Sequence, residues 1–138
     1  MNPVLVDTGF LVALFEREEH YHRACAEVYE GLENPLVTCE AVLFETLYLL
    51  RRNRGAAGAV LASIEQKVLE IPFRLSASAA QVQMILDKYR DMHTDLADAC
   101  LVQMADELST GDILTLDNDF RHYRWRRNRQ FNLLIPLD

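Results

Sequence analysis

Short apolar runs alternate along this chain with longer segments of helical periodicity, and this alternation limits the folds that are available to it. The runs Pro3–Asp7 and Asp112–Leu116 are short and rich in the branched residues typical of buried parallel strands. Strands separated by helices predict a parallel sheet that is covered by helices on both faces. We therefore expect an α/β fold, a three-layer α/β/α sandwich whose central parallel sheet has four to five short strands.

The individual elements are predicted from apolar periodicity, capping residues, and glycine or proline at segment ends. Strands are expected near residues 3–7, 36–38, 68–72, 112–116 and 131–135. Helices are expected near residues 9–17, 20–32, 39–54, 55–66, 76–90 and 95–108, with Thr8 as the cap of the first helix. Because the chain of 138 residues contains no repeat and no linker-like segment, it predicts a single domain over residues 1–138.

Composition excludes several classes of protein. Half of the residues are hydrophobic and a quarter are charged, which argues against long disorder and against a fibrous protein. No stretch approaches the roughly 20 apolar residues of a membrane span, and the first residues lack the basic region of a secretion signal. The three cysteines are widely spaced, which argues against a disulfide framework or a thiolate zinc site. We expect a cytoplasmic protein without a membrane association.

Charge is distributed unevenly along the chain, although the net charge is −7. An acidic balance argues against binding to nucleic acid through charge alone. Residues 118–131 nevertheless contain five arginines and one acid, and arginine forms bidentate contacts with phosphate. The alternative interpretation of this segment is a solvated basic surface. The predicted substrate contacts are Arg121, Arg124 and Arg126, and the candidates for base stacking or a surface contact are Tyr123 and Trp125.

Acidic residues occupy the positions where open α/β sheets form their sites. Asp7 ends the first predicted strand and Asp117 follows a later one, and such sites lie at the carboxyl ends of strands. Glu45 and Asp98 each fall on an apolar face of a predicted helix, where an ionised carboxylate is costly unless it is paired or bound to a metal. Asp95 shares the side of Asp98. The simplest interpretation is one cluster of carboxylates around a cation.

Such a cluster is a ligand set for magnesium or manganese. Ligands that are all oxygen atoms favour Mg²⁺ or Mn²⁺ over zinc. The ion would orient a water molecule, lower its pKa and shield the negative charge of a phosphodiester. It would also neutralise an acidic pocket that otherwise repels nucleic acid. The acids therefore point to hydrolysis of phosphodiester bonds.

Four segments that carry these acids resemble the motifs of the PIN-domain nucleases and, within that family, of the VapC-type toxins of bacterial toxin–antitoxin pairs. In the first segment Asp7-Thr8 follows an apolar strand, and in the last Thr115 precedes Asp117 by two residues. The acids occur in the family's order, with separations of 38, 53 and 19 residues. The matching segments are residues 4–14, 38–45, 89–99 and 114–120.

The resemblance implies a three-layer α/β/α fold and a metal-dependent endoribonuclease. It also implies a homodimer and neutralisation by a small antitoxin that occupies the active-site groove. The residues carried over as catalytic are Asp7, Glu45, Asp98 and Asp117. The metal ligands, for Mg²⁺ or Mn²⁺, are expected to be Asp7, Asp98 and Asp117.

Residues of second rank surround this set. Two hydroxyl residues, Thr8 and Thr115, are expected to orient carboxylates or water. Asp95 is either a further member of the cluster or only the N-cap of its helix, and Asp119 is interpreted as a turn residue.

Two other functions fit the same residues. A catalytically silent protein of the same fold would serve as a module that binds RNA or protein. A housekeeping nuclease would use the same chemistry without an antitoxin. All four acids are present, and this favours the enzyme over the silent module.

Overall fold

A central sheet of five parallel strands organises the structure, a computed structural model that describes residues 1–136. The strands of the chain are β1 (Val4–Val6), β2 (Leu36–Val37), β3 (Leu69–Glu70), β4 (Asp112–Leu114), β5 (Arg124–Trp125), β6 (Arg129–Gln130) and β7 (Asn132–Leu133). The sheet has the order β3-β2-β1-β4-β7, while β5 and β6 form a separate antiparallel hairpin. The predicted α/β class and the number of parallel strands are confirmed.

Within residues 1–136, six α-helices flank the sheet. They are α1 (Thr8–Phe15), α2 (His22–Gly31), α3 (Glu40–Leu49), α4 (Ala56–Glu65), α5 (Leu75–Lys88) and α6 (Leu96–Leu108). Helix α1 packs against α2, α3 and α4, and α5 packs against α6. Two short 3₁₀ helices cover Arg90–Met92 and Asn118–Arg121. Within the described residues, no helix combines the length and the apolar character that a membrane crossing requires.

Strand β1 lies at the centre of the sheet, and its three residues are all buried. It pairs with β2 on one side and with β4 on the other, so that Leu5 is opposite both Val37 and Ile113. The chain thus extends the sheet in one direction from β1 to β3 and in the other through β4 and β7. Such a reversal leaves a crevice at the carboxyl ends of the two strands that flank it, which here are β1 and β4.

Helix α3 is shorter than the predicted helix over residues 39–54. It ends at Leu49, and turns follow until Gly55, which has a φ of 83°. The Asn53 side chain donates to the carbonyl of Phe15, the last residue of α1, at 3.3 Å. This tertiary contact fixes a turn in a segment whose local pattern is helical.

The hairpin of β5 and β6 is absent from the predicted elements. Its turn places Arg126 and Arg127 at φ values of 42° and 73°, a backbone region that arginine rarely adopts. Trp125 anchors the hairpin, since its indole N–H donates to the carbonyl of Gln130 at 3.2 Å and its ring covers Gly111. The strand predicted over residues 131–135 is correspondingly reduced to β7.

Candidate metal centre

Three carboxylates from distant parts of the chain meet at the crevice between β1 and β4. Asp7, Asp98 and Asp117 each offer an oxygen atom, and these oxygens all lie within 4.8 Å of one another. Asp7 directly follows β1, Asp117 follows β4, and Asp98 lies in the first turn of α6. The strand order and the start of α6 therefore assemble the cluster.

Asp7 is held from both of its oxygens. Oδ1 accepts the backbone N–H of Thr8 at 2.7 Å, and Oδ2 accepts the hydroxyl of Thr115 at 2.7 Å. Asp7 is thus the N-cap of α1, and the prediction that Thr8 caps this helix is wrong. A carboxylate one residue earlier reaches the first free N–H of the helix and takes over that role.

Thr115 joins the two strand ends that carry acids. Its hydroxyl donates to Asp7, and the same oxygen accepts the backbone N–H of Asp117 at 3.0 Å. Oδ1 of Asp117 in turn accepts the backbone N–H of Asp119 at 2.9 Å. Asp119 lies in the 3₁₀ helix Asn118–Arg121, so it serves Asp117 through its backbone within a turn.

Asp98 is held by a helix cap and by a buried tyrosine. Oδ1 of Asp95 accepts the backbone N–H of Asp98 at 2.8 Å, which makes Asp95 the N-cap of α6. The hydroxyl of Tyr123 donates to Oδ2 of Asp98 at 2.9 Å. Tyr123 and Trp125 were candidates for base stacking, but both are buried. An aromatic residue between arginines carries no local signal of a contact with an acid 25 residues earlier.

Burial and mutual repulsion make the three acids hard to ionise. Burial raises the pKa of Asp7 to about 6. Burial first, and then the negative charge of Asp7, raise the pKa of Asp98 to about 8. Burial also raises the pKa of Asp117. A cation among these carboxylates would stabilise their charged forms and relieve the repulsion between them.

The donor set fits a hard divalent cation. The three acids supply oxygen ligands alone, and among the described residues the buried Thr8 hydroxyl beside Asp7 has no hydrogen-bond partner. An unpartnered buried polar atom is rare, and it suggests a water or an ion at that position. Asp7, Asp98 and Asp117 are therefore the residues that could hold a metal.

Glu45 lines the same crevice but lies outside the cluster of three acids. The crevice is a cleft of about 430 Å³ whose wall includes both Glu45 and Asp95. The expectation that Glu45 lies on an inward apolar face is wrong. Phe44 and Tyr48, next to it on α3, are 78% and 56% exposed, because the helix buries its opposite side, which includes Leu43.

An apolar groove adjoins the cleft. It measures about 490 Å³ and runs between α3 and the start of α6, with Phe44, Tyr48 and Leu96 among its lining residues. Glu45 and Asp95 line both the groove and the cleft. The acidic site therefore opens directly onto an exposed apolar surface.

The three arginines predicted to bind substrate lie in different places. Arg121 donates to the side chain of Asn118, and Arg124 donates to the carbonyls of Arg121 and Tyr123, so both lie near the residues that follow Asp117. Arg126 contacts Asp106 and Ser109 at the end of α6. At about 1.5 Å of rise per residue, Asp106 is some 12 Å along the helix from Asp98, so Arg126 is not brought to the cleft.

Similarity to known proteins agrees with this geometry. Residues 4–126 match the model of the PIN domain. The chain is 34% identical over 122 residues to Ribonuclease VapC26 of Mycobacterium tuberculosis, which covers 87% of this chain and 89% of that protein. The chain is a PIN-domain protein of the VapC type. The resemblance seen in its four motifs is thereby confirmed.

A solved structure shares the fold of this VapC-type protein. The crystal structure of VapC20 from Mycobacterium tuberculosis, described as a toxin that cleaves the sarcin-ricin loop, has a TM-score of 0.76 and an identity of 22%. The match covers 84% of this chain and 91% of VapC20. The three-layer arrangement inferred from the sequence is confirmed by this match.

Proposed function

We propose that this VapC-type protein is a divalent-metal-dependent endoribonuclease and the toxin of a toxin–antitoxin pair. The convergence of Asp7, Asp98 and Asp117 beside the unpartnered Thr8 hydroxyl carries the proposal. Two similar proteins support the proposal, since one is named a ribonuclease and the other a toxin that cleaves the sarcin-ricin loop.

In this proposal the chain's own residues hold the cofactor and the water. Asp7, Asp98 and Asp117 bind Mg²⁺ or Mn²⁺, and Thr115 keeps the carboxylate of Asp7 in place. When bound, the ion supplies positive charge that shields the phosphodiester and lowers the pKa of water. Glu45, on the wall of the cleft, orients the attacking water. Hydrolysis leaves a 5′-phosphate and a 3′-hydroxyl.

In this proposal the protein binds RNA through contacts between arginines and the RNA phosphates. Arg121 and Arg124 lie close to the turn that carries Asp117 and are placed to contact the backbone near the cleft. Binding should weaken as the salt concentration rises, because each phosphate contact releases counterions. Arg126 has no role at the cleft in this proposal, since its side chain is held at the opposite end of α6.

We propose that the antitoxin binds in the apolar groove beside the cleft. Exposed side chains such as Phe44, Tyr48 and Leu96 offer a surface for a small partner that would also cover Glu45. Co-purification with the product of a neighbouring gene distinguishes a toxin from a housekeeping nuclease. We also propose a homodimer, which sedimentation should show as twice the 15.9 kDa of one chain.

Cleavage of total RNA tests the enzymatic proposal. The purified protein with Mn²⁺ should cut RNA at sites that 5′-end mapping defines. Asp98→Asn should lower the rate by at least about 100-fold, because it removes an anionic ligand at nearly constant volume. Asp87→Asn is the matched control, since Asp87 is exposed on α5 and pairs with Gln83. A rate for Asp98→Asn equal to that of the parent would refute the assignment.

A further inference from the structure

Tyr123 brings a buried hydroxyl to the metal centre. Its ring is fully buried and packs edge-on against Tyr89 and Phe120, with ring centroids 4.9 Å away in each case. Its hydroxyl lies 2.9 Å from Oδ2 of Asp98 and 2.9 Å from Oγ1 of Thr94. The ring cannot move without disturbing the core, so the position of the hydroxyl is fixed.

The direction of the hydrogen bonds made by Tyr123 and Thr94 follows from their partners. A carboxylate that binds a cation is ionised and only accepts hydrogen bonds, so in the state that holds the metal the single proton of Tyr123 goes to Asp98. The Tyr123 oxygen can then only accept the proton of Thr94. The other acceptor for Thr94, the carbonyl of Tyr89, is more distant at 3.3 Å. Donation therefore runs from Thr94 to Tyr123 to Asp98.

The Asp98 carboxylate depends on this single donation more than the Asp7 carboxylate depends on either of its own two hydrogen bonds. Asp7 accepts one hydrogen bond on each oxygen, and Asp117 accepts one from the backbone. Among the described residues, the hydrogen bond to the Asp98 carboxylate comes from Tyr123. Without it, the carboxyl group is free to rotate about its Cβ–Cγ bond.

We propose that Tyr123, set in place by Thr94, is a positioning residue that holds the Asp98 carboxylate in the orientation that binds the divalent cation. This inference rests on the metal centre of the proposed function. Hydrogen bonds to metal ligands fix the ligand's orientation, and their loss typically weakens metal binding by about 10- to 100-fold. The tyrosine would act on the cation through Asp98 and without contact with the substrate.

Manganese binding to the metal-free protein tests this inference, measured by titration calorimetry. Tyr123→Phe keeps the ring and removes the hydroxyl, and it should raise the Kd for Mn²⁺ by about 10-fold. The matched control is Tyr89→Phe, which removes a neighbouring hydroxyl that accepts the backbone N–H of Arg124 at 3.0 Å. The control should leave the Kd for Mn²⁺ unchanged, and melting curves of the metal-free variants show whether each is folded.

Thr94→Val provides a second test outside the core, since Thr94 is only half-buried. It removes the donor to Tyr123 and should raise the Kd for Mn²⁺ by a smaller factor than Tyr123→Phe. If folded Tyr123→Phe binds Mn²⁺ with the same Kd as the parent, the inference is overturned and the proposed function is left intact. Failure of the parent protein itself to bind Mn²⁺ would overturn both.

Discussion

Asp98 holds its proton unusually tightly in the folded, metal-free protein. Its pKa is raised to about 8 by burial and by the charge of Asp7, so between about pH 4 and pH 8 the folded state binds a proton that the unfolded state has released. Ionisation of Asp98 therefore lowers the free energy of unfolding as the pH rises across this range. Asp98→Asn should be more stable than the parent without metal, by an amount that grows from pH 4 to pH 8.

Denaturant titrations at several pH values, with a chelator present, measure this difference. Asp87→Asn should follow the parent's pH dependence, because that carboxyl group is exposed. A constant difference between Asp98→Asn and the parent over the whole range would contradict the assigned burial of Asp98. Excess Mn²⁺ should reverse the order of stability, since only the parent retains the full ligand set.

Among single residues, the sequence predicts the acids of the cluster better than it predicts the residues that hydrogen-bond to them. Asp7 and Asp117 follow apolar strands, and Asp98 lies on a helix face that is buried, so each position carries a local signal. Tyr123 contacts Thr94 and Asp98 across 29 and 25 positions of the chain, and no local pattern encodes such contacts. Glu45 shows a further limit, because an apolar helix face can border a cleft as well as a core.

Gly111 is required where the β5–β6 hairpin packs against the start of β4. A Cβ atom at this position would lie 2.2 Å from Nε1 of Trp125, which cannot give way because the indole is buried. Gly111→Ala should displace the hairpin and lower the free energy of unfolding by about 1–3 kcal/mol. Chemical denaturation measures the loss, and tryptophan fluorescence reports on the hairpin because the chain has a single tryptophan.

Gly58→Ala is the opposite case. Gly58 lies inside α4, is exposed, and would place its Cβ in open space. Alanine should raise the free energy of unfolding by about 0.5–1 kcal/mol, because it restricts the unfolded chain and favours the helix. Equal effects of the two substitutions would refute the packing assigned to Gly111.

Elements were predictable where local pattern and tertiary structure agree. Strands β1 to β4 and all six helices are predicted close to their observed positions. The β5–β6 hairpin was not predicted. Its turn places two arginines in the left-handed backbone region, where glycine or asparagine is usual, and it depends on the anchoring contact of Trp125. The end of α3 likewise depends on Asn53 reaching the end of α1.

For the whole molecule, the alternation of strands and helices predicts the layers but not the order of strands. That β1 lies between β2 and β4 is a matter of pairing between residues far apart in the chain. This order decides the site, because it places Asp7 and Asp117 at the same edge. The single cluster was predicted from the positions of the acids at strand ends and on helix faces, and the motif resemblance agreed with it. The structure brings three of the four acids together and places Glu45 on the wall of the same cleft.

Divalent cations should stabilise the whole fold through this one site. Mn²⁺ at 100 times its Kd should add about 2.7 kcal/mol to the free energy of unfolding, because it binds the folded state alone. Thermal melting should therefore show a Tm that rises with Mn²⁺ concentration for the parent and for Asp87→Asn. Asp98→Asn should show a much smaller rise, and an unchanged Tm for the parent would argue for a silent module.

The hydrogen bond between Thr115 and Asp7 spans 108 positions of the chain. The Asp7 carboxylate meets the hydroxyl of Thr115 only after β4 has been synthesised and has inserted beside β1. A nascent chain that ends before β4 lacks both Thr115 and Asp117, so it cannot assemble the cluster of three carboxylates.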